Sequence, residues 1–376
     1  MASIQKRGKT YQYTVSRMEN GKSRPIRKGG FRTKKEARMA AAEIELQLGK
    51  GIIPYLRPVP IDEYFKKWVR LYKSHLSVTT QKHYEHTYKV IKAYFGRKAL
   101  QEITRHEYQL FLNEYCINKS KETVEKLNIH IRACAKDAVE ENIIQSDFTR
   151  KAVLPWTKPS KRTSEKHLSF KESEILLKEV CNRLDNNDNN LGLSLILLAL
   201  TSGMRFAEML GLTWNDFDFV SNTLKITKTW GYMQRNPTGF GPTKNQQSNR
   251  LLKMDDLTMN YFKKLYLSSP INPHNLIFFN PRSKYEIISN TYVNKILKNL
   301  LYDLELKLIS VHGLRHTHAS VLLYKKVSIQ YVSERLGHSN IETTLSKYAH
   351  LVKELYEEDE QRTINIFNDI HDCFLH

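Results

Sequence analysis

Two proline-containing stretches, residues 49–60 and 148–166, interrupt the hydrophobic periodicity of this chain of 376 residues. Proline removes a backbone donor and ends regular structure, so stretches of this kind are typical of linkers. At roughly 100 to 200 residues per domain, the length allows two or three domains. We therefore assign domains to residues 1–55, 61–150 and 167–376.

The chain is strongly basic, with 59 Lys and Arg residues against 39 Asp and Glu residues and a formal net charge of +20. Half of that excess lies in the first 60 residues, which contain 14 basic and four acidic side chains. Aromatic residues make up 10% of the chain, so the charge lies on sequence that can fold. A polyanionic partner is the leading hypothesis, although a merely solvated basic face is the simpler alternative.

The first segment alternates apolar and polar residues around Tyr11 and Tyr13, has a turn signal at Asn20-Gly21, and continues with a helix capped by Thr33. This pattern predicts a small three-stranded sheet followed by one helix. Basic strands of that kind can lie in the major groove of DNA or along its phosphates.

From Ile61 onward, apolar residues recur at three- and four-residue spacing through four successive segments, which predicts a compact helical bundle. Its polar faces carry basic side chains that either contact DNA phosphates or only face solvent. These side chains are Lys66, Lys67, Arg70, Lys73, Lys82, Lys89 and Lys92.

The third segment opens with the capping-box spacing of Ser169 and Glu172, followed by a hydrophobic helix that ends near Gly203. The runs TLKIT and RLLKM bracket a loop rich in Gly and Pro and are predicted to pair as a hairpin-like unit, and LIFF is a further candidate strand. The chain is therefore predicted to be an α+β multidomain protein. It would combine a small N-terminal three-stranded sheet plus helix, a helical bundle, and a mostly α domain with a small sheet.

Cysteine usage and hydropathy bear on the compartment. The four cysteines, Cys116, Cys134, Cys181 and Cys373, show no C-x-x-C spacing, which argues against disulfides and against a thiolate zinc site. The longest apolar run lies within LSLILLAL, far short of the roughly 18 residues of a membrane span. The basic N-terminus leads into polar sequence and not into a signal peptide. We expect a reduced, cytoplasmic protein with no membrane partner.

The common nucleotide-binding and hydrolase motifs are absent, since there is no Walker A motif, dinucleotide fingerprint or G-x-S-x-G element. The distinctive polar residues lie in the third segment. His312 and Arg315 are three residues apart at a predicted helix start, so they share a face and can bind one anion. The same pair could instead only cap the helix.

Further polar residues extend this set along the chain. Arg205 follows a predicted buried helix, and Glu208 lies one turn further on, although an ordinary helical ion pair is the simpler interpretation. Lys244 occupies the loop between two candidate strands, and His338 follows a glycine. Tyr348 comes ten residues later, where a single tyrosine is more often a packing residue.

A metal site is one alternative for the histidine-rich run, because His312, His316 and His318 are close in the sequence. The H-E-x-x-H pattern is absent, however, and Arg315 between these histidines would repel a cation. We therefore expect no metal ion here.

The order of these motifs resembles the tyrosine recombinase (phage integrase) family. The matching elements are G-M-R-x-x-E at Arg205, T-K-x-x-x-S-x-R at Lys244, H-x-L-R-H, L-G-H and then Tyr348, over roughly residues 167–350. The resemblance implies the tyrosine recombinase fold. It also implies an arm-type DNA-binding domain and a helical core-binding domain ahead of the catalytic one, as in integrases of temperate phages and conjugative transposons. Lys225 and Lys228 are alternatives to Lys244.

The resemblance also implies a catalytic role for each residue. Tyr348 would attack the scissile phosphodiester to form a 3′-phosphotyrosine, while Arg205 and Arg315 would hold the nonbridging oxygens. His312 would assist proton transfer from the phenol, Lys244 would protonate the 5′-oxygen, and His338 would donate a hydrogen bond to the phosphate. Glu208 would orient Arg205 and would not itself contact the phosphate. No cofactor is implied, because the covalent intermediate stores the phosphoester energy.

The implied function is integration and excision of a mobile element such as a prophage. The implied partners are double-stranded DNA with core and arm-type sites, a homotetramer on two duplexes, a DNA-bending host factor and an excisionase. A noncatalytic DNA-binding regulator on the same fold is the main alternative, and a metal-dependent nuclease is a third. The helical spacing of Ile364, Ile366, Phe367 and Ile370 predicts a tail that docks either on its own domain or on a neighbouring subunit. Because the family that the chain resembles acts as a tetramer on two duplexes, the resemblance favours docking on a neighbouring subunit.

Overall fold

The computed structural model describes residues 2–19, 22–49, 58–159, 166–186, 190–232, 238–348, 360, 363–366 and 368. The chain divides into two compact units, Met1–Ser160 and Lys161–His376. The turn at Asn20-Gly21 lies outside the described residues, as do Cys373 and most of the tail on which the docking hypothesis rests.

The first unit begins with an antiparallel sheet of order β1-β2-β5, followed by helix α1. Its elements are β1 Ser3–Arg7, β2 Thr10–Val15, β3 Met18–Glu19, β4 Lys22–Ser23, β5 Ile26–Phe31 and α1 Lys34–Gly49. One face of the sheet packs on the helix because Tyr13, Val15 and Ile26 are buried against Ala41 and Ile44. The expected three-stranded sheet plus helix is confirmed.

A helical bundle follows within the same unit. Its helices are α2 Ile61–Tyr72, α3 Val78–Phe95, α4 Arg105–Tyr115 and α5 Lys121–Glu140. Phe65, Tyr108 and Phe111 lie in its core and are at most 1% exposed. Ser77 and Thr104 begin α3 and α4 by accepting hydrogen bonds from backbone N–H groups in the first turn. The expected bundle is therefore confirmed.

The second unit is mostly helical, with α7 at its centre. Its helices are α6 Phe170–Asn186, α7 Leu191–Ser202, α8 Phe206–Leu210, α9 Asp256–Ser268, α10 Asn290–Asp303, α11 Val311–Tyr324 and α12 Ile329–Leu336. Helix α7 is the apolar run of the sequence, and it is buried on every side because α6, α10 and α11 pack around it. Residues 341–348 are also helical.

Two small sheets complete the second unit. Their strands are β6 Phe217–Asp218, β7 Thr223–Ile226, β8 Lys228–Trp230, β9 Phe240–Pro242 and β10 Arg250–Lys253. The expected pairing of the TLKIT and RLLKM runs is confirmed by β7 and β10, and the loop between them contains a second hairpin, β8–β9. The expected strand at LIFF is wrong, since Leu276 and Phe279 make only isolated bridges, with Thr213 and Ile287.

Helix α7 ends at Gly203, whose φ of +66° lies in the left-handed region that favours glycine. A Cβ atom there would lie 2.5 Å from Cδ2 of His318. This close approach brings the end of α7 against α11 and thereby places Arg205 beside Arg315.

Cys116, Cys134 and Cys181 are free thiols. Over the described ranges, no helix has both the length and the apolar composition needed to cross a bilayer.

The α7 core can be tested with two Leu→Ala substitutions. Leu198 is fully buried in α7, whereas Leu267 in α9 is 78% exposed. We expect Leu198→Ala to lower the free energy of unfolding by about 2–5 kcal/mol, because the lost side chain leaves a cavity. Leu267→Ala should change it by less than about 0.5 kcal/mol. Urea unfolding measures both, and equal effects would contradict the central position of α7.

Candidate active site

Arg205 immediately precedes α8 and is held there by four hydrogen bonds to three residues. Its backbone N–H donates to Oε2 of Glu208 at 3.0 Å, and its Nη1 donates to Oε1 of Glu208 at 2.6 Å and to Oγ of Ser248 at 3.1 Å. Its Nη2 donates to the carbonyl oxygen of Gly337 at 2.9 Å. The guanidinium is therefore fixed in one orientation while about a fifth of the side chain stays exposed, at 22%.

The carboxylate of Glu208 is 1% exposed and is shared by two arginines. Besides Arg205, Nη2 of Arg250 donates to its Oε2 at 3.0 Å. Burial alone raises the pKa of Glu208, but the charges and hydrogen bonds of Arg250 and Arg205 outweigh burial and hold this pKa below its usual value. Glu208 is therefore ionised at neutral pH and orients Arg205.

Sequence reasoning assigned no role to Arg250, which begins β10. Its Nε donates to the carbonyl of Arg335 at 2.7 Å, and its Nη1 donates to the carbonyl of Ser248 at 2.8 Å. These hydrogen bonds of Arg250 thus join β10 to the end of α12. The available signal was its place as the last residue of the T-K-x-x-x-S-x-R motif.

Arg315 lies on α11 and is 4% exposed. Its Nη1 donates to the carbonyl of Gly203 at 2.8 Å, and its Nη2 donates to the carbonyl of Leu336 at 2.7 Å. Burial and the positive charge of Arg205 lower the pKa of Arg315. Arg205 and Arg315 are therefore anchored on the consecutive carbonyls of Gly337 and Leu336, and an anion between them would relieve their mutual repulsion.

His338 follows these two carbonyls directly. Its Nδ1 is hydrogen-bonded to Oγ1 of the buried Thr344 at 2.7 Å. Burial, followed by the charges of Arg315, Lys347 and Arg205, lowers the pKa of His338 to about 3. The ring is thus neutral at physiological pH, and one nitrogen is left free of Thr344 for a ligand.

His312 and His316 lie one turn apart on α11, with ring centroids 4.9 Å apart. His312 is exposed, and desolvation together with the charge of Arg315 lowers its pKa. Nδ1 of His316 is hydrogen-bonded to Oη of Tyr348 at 2.8 Å. Sequence reasoning considered His316 only as a metal ligand, although the i, i+4 spacing from His312 was available as a signal.

Tyr348 is 1% exposed and packs against Ala319, Leu323, Val332 and Leu336. Burial raises the pKa of its phenol, and the positive charge of Arg315 opposes that shift. The phenol is therefore protonated at neutral pH, so any reaction at its oxygen requires a group that accepts the proton.

Lys244 is exposed in the turn that follows β9. Desolvation lowers the pKa of Lys347, and the charges of Arg315, Lys244 and Arg205 lower it further, which places Lys244 near the residue that precedes Tyr348. The two alternatives are less suitable. The ammonium of Lys228 binds Asp216 at 2.5 Å, and Lys225 points away from the core on β7, between the buried Leu224 and Ile226.

The third histidine considered for a metal site, His318, faces the core. Its Nδ1 is bonded to the carbonyl of Leu200 at 2.7 Å, and its Nε2 accepts from Nε of Arg335 at 3.1 Å. Both nitrogens are thus used in packing α11 against its neighbours. Within the described ranges, no three His, Cys, Asp or Glu side chains are grouped to hold a metal.

A pocket of about 390 Å³ adjoins this cluster. It is lined by Lys166, Asn294, Lys298, Ser310, His312 and His316 among others. Two lysines and two histidines at its wall make it suitable for an anionic group.

Family models match three parts of the chain. The phage integrase family matches residues 166–354, an arm DNA-binding domain matches residues 3–48, and the N-terminal SAM-like domain of phage integrases matches residues 61–115. The first match covers half of the chain and includes every residue of the candidate active site. The chain therefore belongs to the phage integrase family, and it is an enzyme of the tyrosine recombinase class.

Curated relatives are similar over most of their length. A tyrosine recombinase XerC-like protein of Caldanaerobacter subterraneus is 26% identical over 98% of each chain. The integrase of Staphylococcus phage L54a is 26% identical over 80% of this chain and 90% of its own. The ICEBs1 integrase of Bacillus subtilis is 24% identical over 90% of this chain and 95% of its own.

Solved structures share the fold. The Tn1549 transposon integrase in complex with a circular intermediate DNA has a TM-score of 0.66 at 16% identity, over 81% of this chain and 99% of its own. A lambda integrase tetramer bound to a Holliday junction has a TM-score of 0.55 at 15% identity, over 89% and 94%. The tyrosine recombinase fold expected from the sequence is confirmed.

The pairing of Glu208 with two arginines predicts a specific pH dependence. Because its pKa is lowered on folding, Glu208 stabilises the fold above its unfolded pKa of about 4.3, and this contribution is lost as pH falls through the lower folded value. We expect Glu208→Gln to lower the free energy of unfolding by about 3–5 kcal/mol at pH 7, because the buried Arg250 and the partly buried Arg205 lose their counter-charge.

The difference between wild type and Glu208→Gln should shrink below about pH 4, where the protonated carboxyl resembles the amide. Denaturant unfolding from pH 7 to pH 3 measures it, with the exposed Glu174→Gln as the matched control. A difference that is constant over this range would contradict an ionised Glu208.

Proposed function

We propose that this chain is a site-specific recombinase that cuts and rejoins double-stranded DNA to integrate and excise a mobile element such as a prophage. The observation that carries the proposal is the anchoring of Arg205 and Arg315 on consecutive carbonyls, next to His338 and in the same cluster as Tyr348. A pair of fixed guanidiniums favours a phosphate, since each presents planar donors to its oxygens. The phage and ICEBs1 integrases among the relatives support a mobile element.

The reaction would proceed in two balanced transesterifications. Oη of Tyr348 attacks the scissile phosphorus and passes its proton to a neighbouring imidazole of α11, the P–O5′ bond breaks, and Lys244 protonates the departing 5′-oxygen. Arg205 and Arg315 stabilise the charge that develops on the nonbridging oxygens, and the neutral His338 donates one hydrogen bond to them. The 5′-hydroxyl of the partner strand then attacks the phosphotyrosine, so neither cofactor nor ATP is required.

The three assigned domains would divide the contacts with DNA. Residues 1–55 would bind arm-type sites, residues 61–150 core sites, and residues 167–376 the cleavage point. A groove between α2 and α3 supports the second assignment, because Lys66, Arg70, Lys73, Lys82 and Lys89 line it. We infer that the chain acts as a homotetramer on paired duplexes, in line with the lambda integrase tetramer. We also infer that a DNA-bending host factor and an excisionase are its partners in the bacterial cytoplasm.

Covalent trapping tests the nucleophile. Wild type and Tyr348→Phe are incubated in EDTA, without ATP, with a labelled nicked suicide substrate that carries the joined ends of the element. We expect a protease-sensitive protein–DNA adduct from wild type and none from Tyr348→Phe, because the variant lacks the attacking oxygen. The matched control Tyr331→Phe alters an exposed tyrosine of α12 and should form the adduct.

The same assay separates the alternatives. If wild type binds this DNA but forms no adduct, the chain is a noncatalytic regulator. Cleavage that needs a divalent cation and leaves no adduct would instead point to a metal-dependent nuclease.

Lys244 can be tested by changing the leaving group. We expect Lys244→Ala to slow cleavage about 100-fold or more on the ordinary substrate, since the 5′-oxygen then departs without a proton. A bridging 5′-sulfur needs no such proton, because a thiol ionises at pH of about 8.5. Cleavage of the 5′-phosphorothiolate should therefore return to near the wild-type rate. Lys225→Ala is the control, and a defect in that variant would move the role to Lys225.

A further inference from the structure

His316 contacts the atom that must react, and no sequence motif assigned it that contact. Its Nδ1 lies 2.8 Å from Oη of Tyr348. Among the described residues, His316 is the hydrogen-bond partner of the Tyr348 hydroxyl. We propose that His316 is the catalytic proton acceptor of Tyr348, an inference that rests on the recombinase function proposed above.

The surroundings of the pair favour transfer from oxygen to nitrogen. Burial, then the charges of His312, Lys347 and Arg315, lower the pKa of His316 to about 3, so the ring is neutral at physiological pH. The phenol keeps its proton under the same conditions because burial raises its pKa. The hydrogen bond therefore runs from the Tyr348 hydroxyl to Nδ1 of His316, whose Nε2 then carries the hydrogen.

A bound phosphate would strengthen this base when it is needed. Arg315, one of the positive charges that depress the pKa of His316, is also one of the two guanidiniums that would hold the DNA phosphate. An anion between Arg205 and Arg315 offsets that charge, and a nearby negative charge favours the imidazolium. The acceptor is thus weak in the free protein and becomes stronger once the substrate is in place.

The position of His312 leaves it a different role. It is exposed one turn before His316, with its ring edge-on to that of His316. Its place at the surface of the cluster suits contact with DNA, whereas His316 lies between it and the phenol in the chain of contacts. The proton transfer that the family resemblance implied for His312 is therefore assigned to His316.

The proton moves in both directions during recombination. In cleavage it passes from Oη of Tyr348 to Nδ1 of His316 as the Oη–P bond forms and the P–O5′ bond breaks. In ligation the attacking 5′-oxygen passes its proton to Lys244 and forms the P–O5′ bond, the Oη–P bond breaks, and the imidazolium of His316 returns the proton to Oη. Lys244 serves the 5′-oxygen in each direction, so no external acid or base is consumed.

The test combines one variant with two substrates. In His316→Asn, the amide oxygen can accept the phenol hydrogen bond but cannot take up the proton. We expect unchanged DNA affinity, single-turnover cleavage slower by about 100-fold or more at pH 7, and a rate that rises with pH where wild type is flat. His274→Asn, an exposed histidine paired with Glu286, is the matched control.

The leaving group distinguishes this step from that of Lys244. The His316→Asn defect should persist on the 5′-phosphorothiolate, because the attacking phenol still has to lose its proton. A near-wild-type cleavage rate of His316→Asn on the 5′-phosphorothiolate would overturn the proposal. Cleavage of the ordinary substrate by His316→Asn at or above the wild-type rate would also overturn it, because His316 would then only hold Tyr348 in place.

Wild type separates failure of this proposal from failure of the recombinase function. If wild type binds the DNA but forms no adduct, the recombinase function is wrong and the role of His316 is overturned with it. If wild type and His316→Asn form the adduct at equal rates, the recombinase function stands and only the role of His316 is wrong.

A measurement on the wild type does not depend on the folding of any variant. With ¹⁵N-labelled histidine, Nδ1 of His316 should give the signal of a neutral, hydrogen-bond-accepting nitrogen, assigned by its change in Tyr348→Phe. A protonated Nδ1 in wild type would overturn the proposal, because that atom could not accept the phenol proton.

Discussion

The carboxylate of Glu208 is the constraint on which the site depends. A charge that is 1% exposed needs close counter-charges, and Arg205 and Arg250 supply them from the start of α8 and the start of β10. Each arginine also donates one hydrogen bond to distant backbone: Arg205 to the carbonyl of Gly337, and Arg250 to the carbonyl of Arg335. One buried acid thereby joins α8, the hairpin sheet and the end of α12, three elements that are far apart in the sequence.

The positive charge of Arg315, the most deeply buried arginine of the site, is not balanced, among the described residues, by a carboxylate that binds it directly. Arg315 is buried, yet its guanidinium donates to the carbonyls of Gly203 and Leu336 and not to a carboxylate. Carbonyl dipoles satisfy its donors without cancelling its charge, so the surrounding histidines are kept neutral: burial and nearby cations lower the pKa values of His316 and His338 to about 3. Neutral imidazoles beside fixed guanidiniums provide proton acceptors and donors together with a strong attraction for a phosphate.

Much of the architecture could be predicted because it is encoded locally. Hydrophobic spacing and capping residues identified the N-terminal sheet plus helix, the helical bundle and the start of α6, where Ser169 and Glu172 form the expected reciprocal bonds. The run LIFF does not form a strand, because its apolar residues pack in the core and make only isolated bridges. The spacing of apolar residues alone cannot distinguish a strand from a buried segment of this kind. Arg250 and His316 were missed because their partners lie 42 and 32 residues away.

The sequence by itself determined the order of the structural segments, the excess of positive charge, and the residue types available for chemistry near Arg205, Lys244, the α11 run and Tyr348. Only the tertiary structure decided which of these side chains meet. It set Arg205 and Arg315 on adjacent carbonyls, turned His318 into the core and His316 toward the phenol, and occupied Lys228 with Asp216. The reason is that the tendency of a residue to lie in a helix, strand or turn depends on its neighbours in the sequence. Its hydrogen-bond partner depends instead on how distant elements pack around α7.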